Sequence, residues 1–212
     1  MTALSQDQAR TVHMVASVLL GYPDERLHRA LPVLAEAVAG LPPGTARGRL
    51  RAFCDFAEAT APADLAAHYV AMFDMQRRCC PYLTYYTYGD TRGRGAALLR
   101  FKRAVRAAGF ELADGELPDH VSVVCELSAR GGYAQAVRLL WEHRAGLELL
   151  RRALEGQGSP YAGVVAAVQE TLPPMGRRDR EAALRLAAQG PPAEKVGLEP
   201  FAVRGERNGG GR

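Results

Sequence analysis

The chain has 212 residues, carries a net charge of +4, and is 48% hydrophobic, 24% charged and only 7% aromatic. This balance describes a single globular domain with an aliphatic core and argues against a disordered or fibrous protein. Because no apolar stretch approaches the roughly 18 residues of a membrane-spanning helix, and the polar start lacks a signal-peptide core, we expect a cytoplasmic protein without membrane insertion.

Helix signals run along most of the chain. Ser5 and Gln8 form a capping-box pattern that opens the first helix, and Gly21 and Pro23 end it. Glycine, proline or capping residues bound further helices. These are predicted at about 24–39, 45–59, 62–75, 91–108, 118–129, 134–154, 159–172 and 179–188. The expected buried stripe of the 134–154 helix is Val137, Leu140, Trp141 and Leu147.

Residues 82–88 are the one segment with the composition of a β-strand, since they contain four tyrosines and two threonines. No second run of this kind exists to pair with it, so we expect a helix that ends near Tyr88, with Gly89 as its break. The predicted fold class is therefore all-α: a single-domain compact bundle of roughly eight or nine helices over residues 1–204, followed by a disordered tail, 205–212.

The cysteine pattern does not indicate a metal site. Cys54, Cys79, Cys80 and Cys125 contain no C-x-x-C spacing, and neighbouring cysteines bond each other only with strain. We therefore expect free thiols and no bound metal.

Charge is distributed unevenly along the middle of the chain. Residues 74–106 contain eight Lys or Arg and two Asp. The following residues, 107–126, carry no Lys or Arg and five acids, which are Glu111, Asp114, Glu116, Asp119 and Glu126. Two such opposite runs usually meet within a fold, so this pattern is weaker evidence for nucleic-acid binding than an unbroken basic face.

Motifs of known catalytic chemistry are lacking. There is no H-E-x-x-H, G-x-S-x-G or P-loop sequence, so no catalytic residue is assigned. The glycine-rich segment 89–95 fits a phosphate cradle or, on loop statistics, a connection with a helix cap at Asp90 or Thr91. Residues 116–120 fit helix capping or, with Asp119 beside His120, acid–base chemistry that lacks a nucleophile.

Residues 69–75 offer an apolar surface. Met72, Phe73 and Met75 at helical spacing are typical of a core. Tyrosines crowded beside Arg77 and Arg78 are also typical of peptide-binding surfaces.

Three motifs in order carry a resemblance to a known family. They are Tyr69-Val70-x-x-Phe73-Asp74-x-x-Arg77-Arg78, then Leu83-Thr84-Tyr85-Tyr86-x-Tyr88-Gly89-Asp90-Thr91-Arg92-x-Arg94-Gly95, then Glu116-Leu117-Pro118-Asp119-His120. Their order and spacing resemble the NarJ family, the nitrate reductase delta-type chaperones of molybdenum-cofactor assembly, in the wider TorD/DmsD-like group. The resemblance extends from about Val12 to Phe201.

The resemblance implies a cytoplasmic chaperone that binds the apo catalytic (alpha) subunit of a respiratory nitrate reductase through its N-terminal leader-like segment and assists insertion of the cofactor. It implies no stably bound cofactor, with transient contact to the client's molybdopterin guanine dinucleotide as a weaker expectation. The partner-binding residues that we assign are Tyr69, Phe73, Asp74, Arg77, Tyr85, Tyr86, Tyr88, Gly89, Asp90, Arg92, Glu116, Pro118, Asp119 and His120.

The assigned residues have the chemistry that binding of a leader-like peptide requires. The aromatic and methionine side chains would form an apolar groove, and the acids of residues 111–126 would face a cationic leader. The basic stretch would meet those acids or an anionic surface of the client. The alternatives are a chaperone for another molybdoenzyme of the same superfamily, a nucleic-acid-binding helical module, and a small hydrolase centred on Asp119 and His120.

Overall fold

The computed structural model describes residues 4–89, 91–113 and 115–174, together with 176, 177, 181 and 185. Over these residues the chain forms ten α-helices and no β-sheet, which confirms the all-α prediction. The helices are α1 (Gln6–Leu19), α2 (Glu25–Ala39), α3 (Thr45–Ala59), α4 (Pro62–Tyr69), α5 (Tyr85–Tyr88), α6 (Gly93–Ala107), α7 (Val121–Ala129), α8 (Tyr133–Glu142), α9 (Arg144–Gly156) and α10 (Tyr161–Glu170). None of them combines the length and the hydropathy that a bilayer crossing requires.

Local capping explains where the first helices begin. The Ser5 backbone N–H donates to Gln8 Oε1 at 2.9 Å, and the Gln8 N–H donates to Ser5 Oγ at 3.3 Å, which confirms the predicted capping box. At the start of α2 the Asp24 carboxylate accepts from the N–H groups of Arg26 and Leu27. These bonds satisfy amide groups that have no partner inside the helix.

The core forms around α1 and α10. α1 packs against α2, α7 and α10, while α10 also packs against α3 and α9. The side chains that face inward are mostly aliphatic, such as Val12 and Leu19 of α1 and Leu147 of α9, which are fully buried. The four cysteines are free thiols, as predicted.

Several predicted boundaries differ from the structure. The 62–75 helix divides into α4 and a wider π-helical turn, Val70–Asp74. The predicted 134–154 helix is divided at His143 into α8 and α9, and the prediction that Trp141 is buried is wrong. Trp141 is 40% exposed, and the Arg144 guanidinium carbon lies 3.7 Å from the centroid of its ring. The predicted helix 179–188, apart from residues 181 and 185, and the tail 205–212 lie outside the described residues.

The predicted helices at 82–88 and 118–129 both start later than expected. Tyr82 forms an isolated antiparallel bridge with His120. Leu83 N–H donates to Asp119 O at 2.9 Å, and Val121 N–H donates to Pro81 O at 3.0 Å. The two segments therefore meet at a single bridge, and neither is a β-strand. The prediction of a helix that ends near Tyr88, with Gly89 as its break, is confirmed by α5.

A buried histidine joins three helical segments inside the core. His13 on α1 is fully buried, and its ring nitrogens lie 2.6 Å from Ser128 Oγ and 2.8 Å from Thr171 Oγ1. Burial lowers the pKa of His13 to about 4. The folded protein therefore holds this ring neutral under conditions where the unfolded chain would protonate it.

We expect the free energy of unfolding to fall as the pH decreases from 6.5 to 4.5. Between those values the unfolded chain binds a proton at His13 that the folded chain does not, so stability rises with pH by at most about 1.4 kcal/mol per pH unit for each such group. Urea unfolding at several pH values measures this slope, and a His13→Gln variant should show a shallower one. An unchanged slope in that variant would contradict the assignment.

A carboxylate with a lowered pKa contributes at the lower end of this window. Burial disfavours ionisation of Glu148, but hydrogen bonds from Arg151 and Arg152 outweigh burial and lower its pKa to about 2. Its contribution to stability is therefore lost progressively as the pH falls from about 5 toward 2. Because Glu148 is present in both proteins, the comparison with the His13→Gln variant removes this contribution.

Candidate functional site

The predicted aromatic groove is closed by the protein's own side chains. Tyr69 and Phe73 are buried, with ring centroids 5.9 and 4.9 Å from the ring of Tyr161 on α10, which is fully buried. The two residues therefore fasten α4 and the π-helical turn to α10, and the structure corrects their assignment to an open groove. Tyr22 and Met75 near this cluster remain more than half exposed.

The tyrosines of α5 also point inward. Tyr85 and Tyr86 are buried, and the Tyr86 hydroxyl lies 3.0 Å from Arg78 O and 2.9 Å from Cys80 O. A Cβ atom at Gly146 would lie only 3.0 Å from the Tyr86 ring, so α9 approaches this tyrosine closely. Tyr86 therefore holds the segment that carries Arg78 and Cys80 close to α9.

Asp119 is also a buried residue. Its Oδ2 accepts from the Thr84 N–H at 3.2 Å and from the Thr84 hydroxyl at 2.5 Å. The Arg94 guanidinium lies 3.7 Å from the same oxygen and donates through Nε to Thr84 Oγ1 at 3.2 Å. The basic stretch 74–106 and the acidic stretch 107–126 thus meet inside the fold through Arg94 and Asp119, as predicted. The expectation that Asp119 faces a cationic leader is wrong, because its side chain is 0% exposed.

His120 caps a helix. Its Nδ1 accepts from the Ser122 N–H at 3.2 Å at the start of α7, and its ring meets Tyr82 edge-on at 5.1 Å. Burial lowers the pKa of His120 to about 4, although Asp119 acts in the opposite direction. Because the Asp119 carboxylate bonds Thr84 while the imidazole bonds Ser122, the two do not form the acid–base pair of a hydrolase.

The other predicted residues are divided between surface and interior. Asp74, Arg77, Arg92 and Glu116 are exposed, Tyr88 is half-buried, and Gly89 and Pro118 are buried. Gly89 has a φ of 56°, which a residue with a side chain adopts only with strain. Asp90 lies outside the described residues. The predicted cap at Thr91 is wrong: α6 begins two residues later, and the Thr91 hydroxyl donates to Tyr88 O at 2.7 Å.

An open groove lies between the end of α6, residues 108–113 and 115–120, and α7. We call it the loop groove. It consists of two adjoining hollows of about 280 and 460 Å³. Both hollows are lined by Val105, Phe110, Glu111, Leu112, Ala113 and Glu116. The smaller hollow is completed by Val123, Glu126, Leu127 and Arg130. The larger is completed by Lys102, Arg106, Gly115 and Leu117.

Backbone geometry explains why the loop leaves space beside α7. Gly109 and Gly115 both have a φ of 82°, a backbone conformation that favours glycine, so the chain turns sharply at both positions. At the start of α8 a Cβ on Gly132 would lie 2.6 Å from Leu127 Cδ1, so the α7–α8 joint packs directly behind the groove's floor. Arg130 sits 6.0 Å from the Phe110 ring at the rim.

The loop groove retains part of the predicted site. Of the five acids, Glu111, Glu116 and Glu126 line it, Asp119 is buried, and Asp114 lies outside the described residues. The sequence analysis did not predict the apolar lining. A signal for it existed, because Phe110, Leu112 and Leu117 lie among acids outside any helix. Large apolar residues in such a segment often mark a binding surface. An apolar floor with carboxylates at its edge is suited to a segment that is both apolar and cationic.

Comparison with solved structures agrees with the fold. The chain resembles the crystal structure of a protein from Archaeoglobus fulgidus described as a redox enzyme maturation protein. The TM-score is 0.55, the sequence identity is 20%, and the match covers 80% of this chain and 94% of that one. At this identity the likeness shows the helical fold that the two proteins share.

The sequence comparisons are more specific. The family model for the nitrate reductase delta subunit matches residues 40–167. The chain therefore belongs to the nitrate reductase delta subunit family, and the match includes the loop groove and the tyrosine segment.

Individual relatives extend this match. The chain is 37% identical over 172 residues to the nitrate reductase-like protein NarX of Mycobacterium tuberculosis, covering 81% of this chain but only 26% of that relative's length. It is 29% identical to the probable nitrate reductase molybdenum cofactor assembly chaperone NarJ of Bacillus subtilis, over 77% of this chain and 89% of that protein. The corresponding NarJ of Escherichia coli is 31% identical over 70% of this chain and 64% of its own length.

Proposed function

We propose that the chain is an assembly chaperone that binds the apo catalytic subunit of a nitrate reductase and assists insertion of its molybdenum cofactor, without catalysis of its own. The observation that carries this proposal is the family match over residues 40–167, together with the NarJ relatives that are described as chaperones of this kind. The proposed place of action is the cytoplasm, where an apo subunit awaits its cofactor.

The client segment that we propose is the N-terminal leader-like segment of the catalytic subunit, and the loop groove is its proposed site. The groove supplies an apolar floor from Val105, Phe110 and Leu127, and carboxylates from Glu111 and Glu116. Apolar side chains of an amphipathic segment would bury on the floor while its cations lie against the carboxylates. Hollows of this size are of the order of known ligand pockets, which occupy about 300–1,000 Å³.

The buried pair of Asp119 and Thr84 acts in this proposal as part of the scaffold of the groove. Asp119 and Thr84 fix residues 82–84 against the turn that precedes α7, and α7 lines the groove. Substitutions at these positions would then alter client binding by moving the groove, without removing a direct contact.

The alternative of a nucleic-acid-binding module is not supported by the charge distribution. Lys102 and Arg106 line the larger hollow together with Glu111 and Glu116, so acids interrupt the basic surface there. A client from another molybdoenzyme of the same superfamily remains the second candidate, since the groove's chemistry does not distinguish such leaders. The weaker expectation of transient contact with the client's cofactor would place its phosphates against the exposed cations of α6.

We expect Glu116→Lys to weaken binding of a synthetic leader-like peptide by about tenfold or more, because a cation would face the peptide's own cations. The peptide should correspond to the N-terminal segment of a nitrate reductase catalytic subunit, and isothermal titration calorimetry measures the affinity. Glu116 is exposed on a turn, so the substitution should leave the fold intact.

Glu36→Lys is the matched control for this experiment, because Glu36 is exposed on α2 and lines neither hollow. The control variant should bind the peptide as the unmodified protein does. If both variants bind with unchanged affinity, the loop groove is not the leader site. If the unmodified protein fails to retain an apo catalytic subunit in a pull-down, the chaperone proposal itself fails.

A further inference from the structure

The charged residues that line the loop groove change in sign from its α7 end to its α6 end. The part shared by the two hollows carries Glu111 and Glu116. The α7 end carries Glu126 and Arg130, which neutralise each other in an ion pair of 2.8 Å. The α6 end carries Lys102 and Arg106. From α7 to α6 the groove is therefore neutral, then acidic, then basic.

The two cations at the α6 end differ from Arg94 and Arg100 of the same helix. Arg94 pairs with Asp119, and Arg100 pairs with Glu142 at 2.6 Å. Within the part of the chain that the structure describes, no ion pair involves Lys102 or Arg106, and both side chains are exposed. Arg106 lies in the last helical turn, where the helix dipole favours a cation, but Lys102 lies one turn earlier.

We propose that the loop groove binds an amphipathic peptide segment in one direction, with the peptide's cations over Glu111 and Glu116 and a carboxylate of the peptide at Lys102 and Arg106. This inference rests on the proposed function and adds the charge order of the client segment. The reversed peptide would place its carboxylate away from these cations and its own cations beside them. Like charges brought together in this way disfavour the wrong orientation.

Two synthetic peptides of identical composition test the charge order that sets the direction. Both carry the same apolar residues, two lysines and one glutamate. In the ordered peptide the lysines are adjacent and the glutamate lies beyond them at one end, whereas in the scrambled peptide the glutamate separates the two lysines. Calorimetry with the unmodified chain should show that the ordered peptide binds about tenfold more tightly than the scrambled one. Equal affinity for the two peptides overturns the directional proposal and leaves the proposed function standing, whereas binding of neither overturns both.

A charge reversal identifies the residues that set the preference. In a Lys102→Glu, Arg106→Glu double variant the preference between the two peptides should disappear or invert. The matched control is Arg103→Glu, since Arg103 is exposed on the same helix but lines neither hollow. Circular dichroism establishes that each variant is folded. A preference that persists unchanged in the double variant overturns the assignment of these two cations.

Discussion

Replacing Tyr161 with alanine should lower the free energy of unfolding by about 4 kcal/mol, the largest loss that we expect from any single substitution in this chain. The side chain is 0% exposed, and its ring lies 4.7 Å from Phe53, 4.9 Å from Phe73 and 5.7 Å from His68, measured between ring centroids. An alanine would leave a cavity where α3, α4 and the π-helical turn meet α10. Urea unfolding followed by far-ultraviolet circular dichroism measures the loss.

Tyr161→Phe is the control and should raise the free energy of unfolding instead of lowering it. The Tyr161 hydroxyl is buried and finds no hydrogen-bond partner among the described residues. Removing it retains the ring packing and relieves the cost of burying an unpaired polar group, so we expect stability to rise by about 1 kcal/mol. If the alanine variant lost less than about 1 kcal/mol, the aromatic cluster would not be the joint that we describe.

Replacing Asp119 with alanine should lower the free energy of unfolding by about 3 kcal/mol. The substitution removes the acceptor for the Thr84 N–H and hydroxyl and leaves the Arg94 guanidinium, which is 19% exposed, without its carboxylate. Burying an unpaired donor and a charge without its partner accounts for the size of the loss. Chemical denaturation again measures it.

Glu116→Ala, three residues earlier and exposed, serves as the matched control and should change stability by less than about 0.5 kcal/mol. The two variants together separate a structural carboxylate from a binding one. An Asp119→Ala protein as stable as the unmodified one would contradict the structural role that we assign to this carboxylate.

The fold was predictable to the extent that its signals are local. The capping box at Ser5 and Gln8, and the prolines and glycines between helices, act within a few residues of the chain, and the corresponding helices begin and end close to where these residues predict. The pairing of Tyr82 with His120 joins two segments that are far apart in the sequence. A hydropathy pattern along one segment does not contain that information.

The site was less predictable for a related reason. Composition alone does not distinguish an aromatic groove from an aromatic core, and Tyr69 and Phe73 lie in the core. Glu116 and Asp119 stand three residues apart in one acidic run, yet Glu116 reaches the groove and Asp119 is buried against Thr84. The acidic run at residues 107–126 predicted negative charge at the groove. Which of these acids line the groove depends on the turn before α7, which the sequence pattern does not determine.

The absence of a side chain at Gly132 leaves room for Leu127, which lines the loop groove. A methyl group at position 132 would lie 2.6 Å from Leu127 Cδ1 and 3.0 Å from the Ala108 Cβ, so Leu127 would have to shift. A larger residue at position 132 would therefore change the shape of the loop groove without altering any residue that lines it.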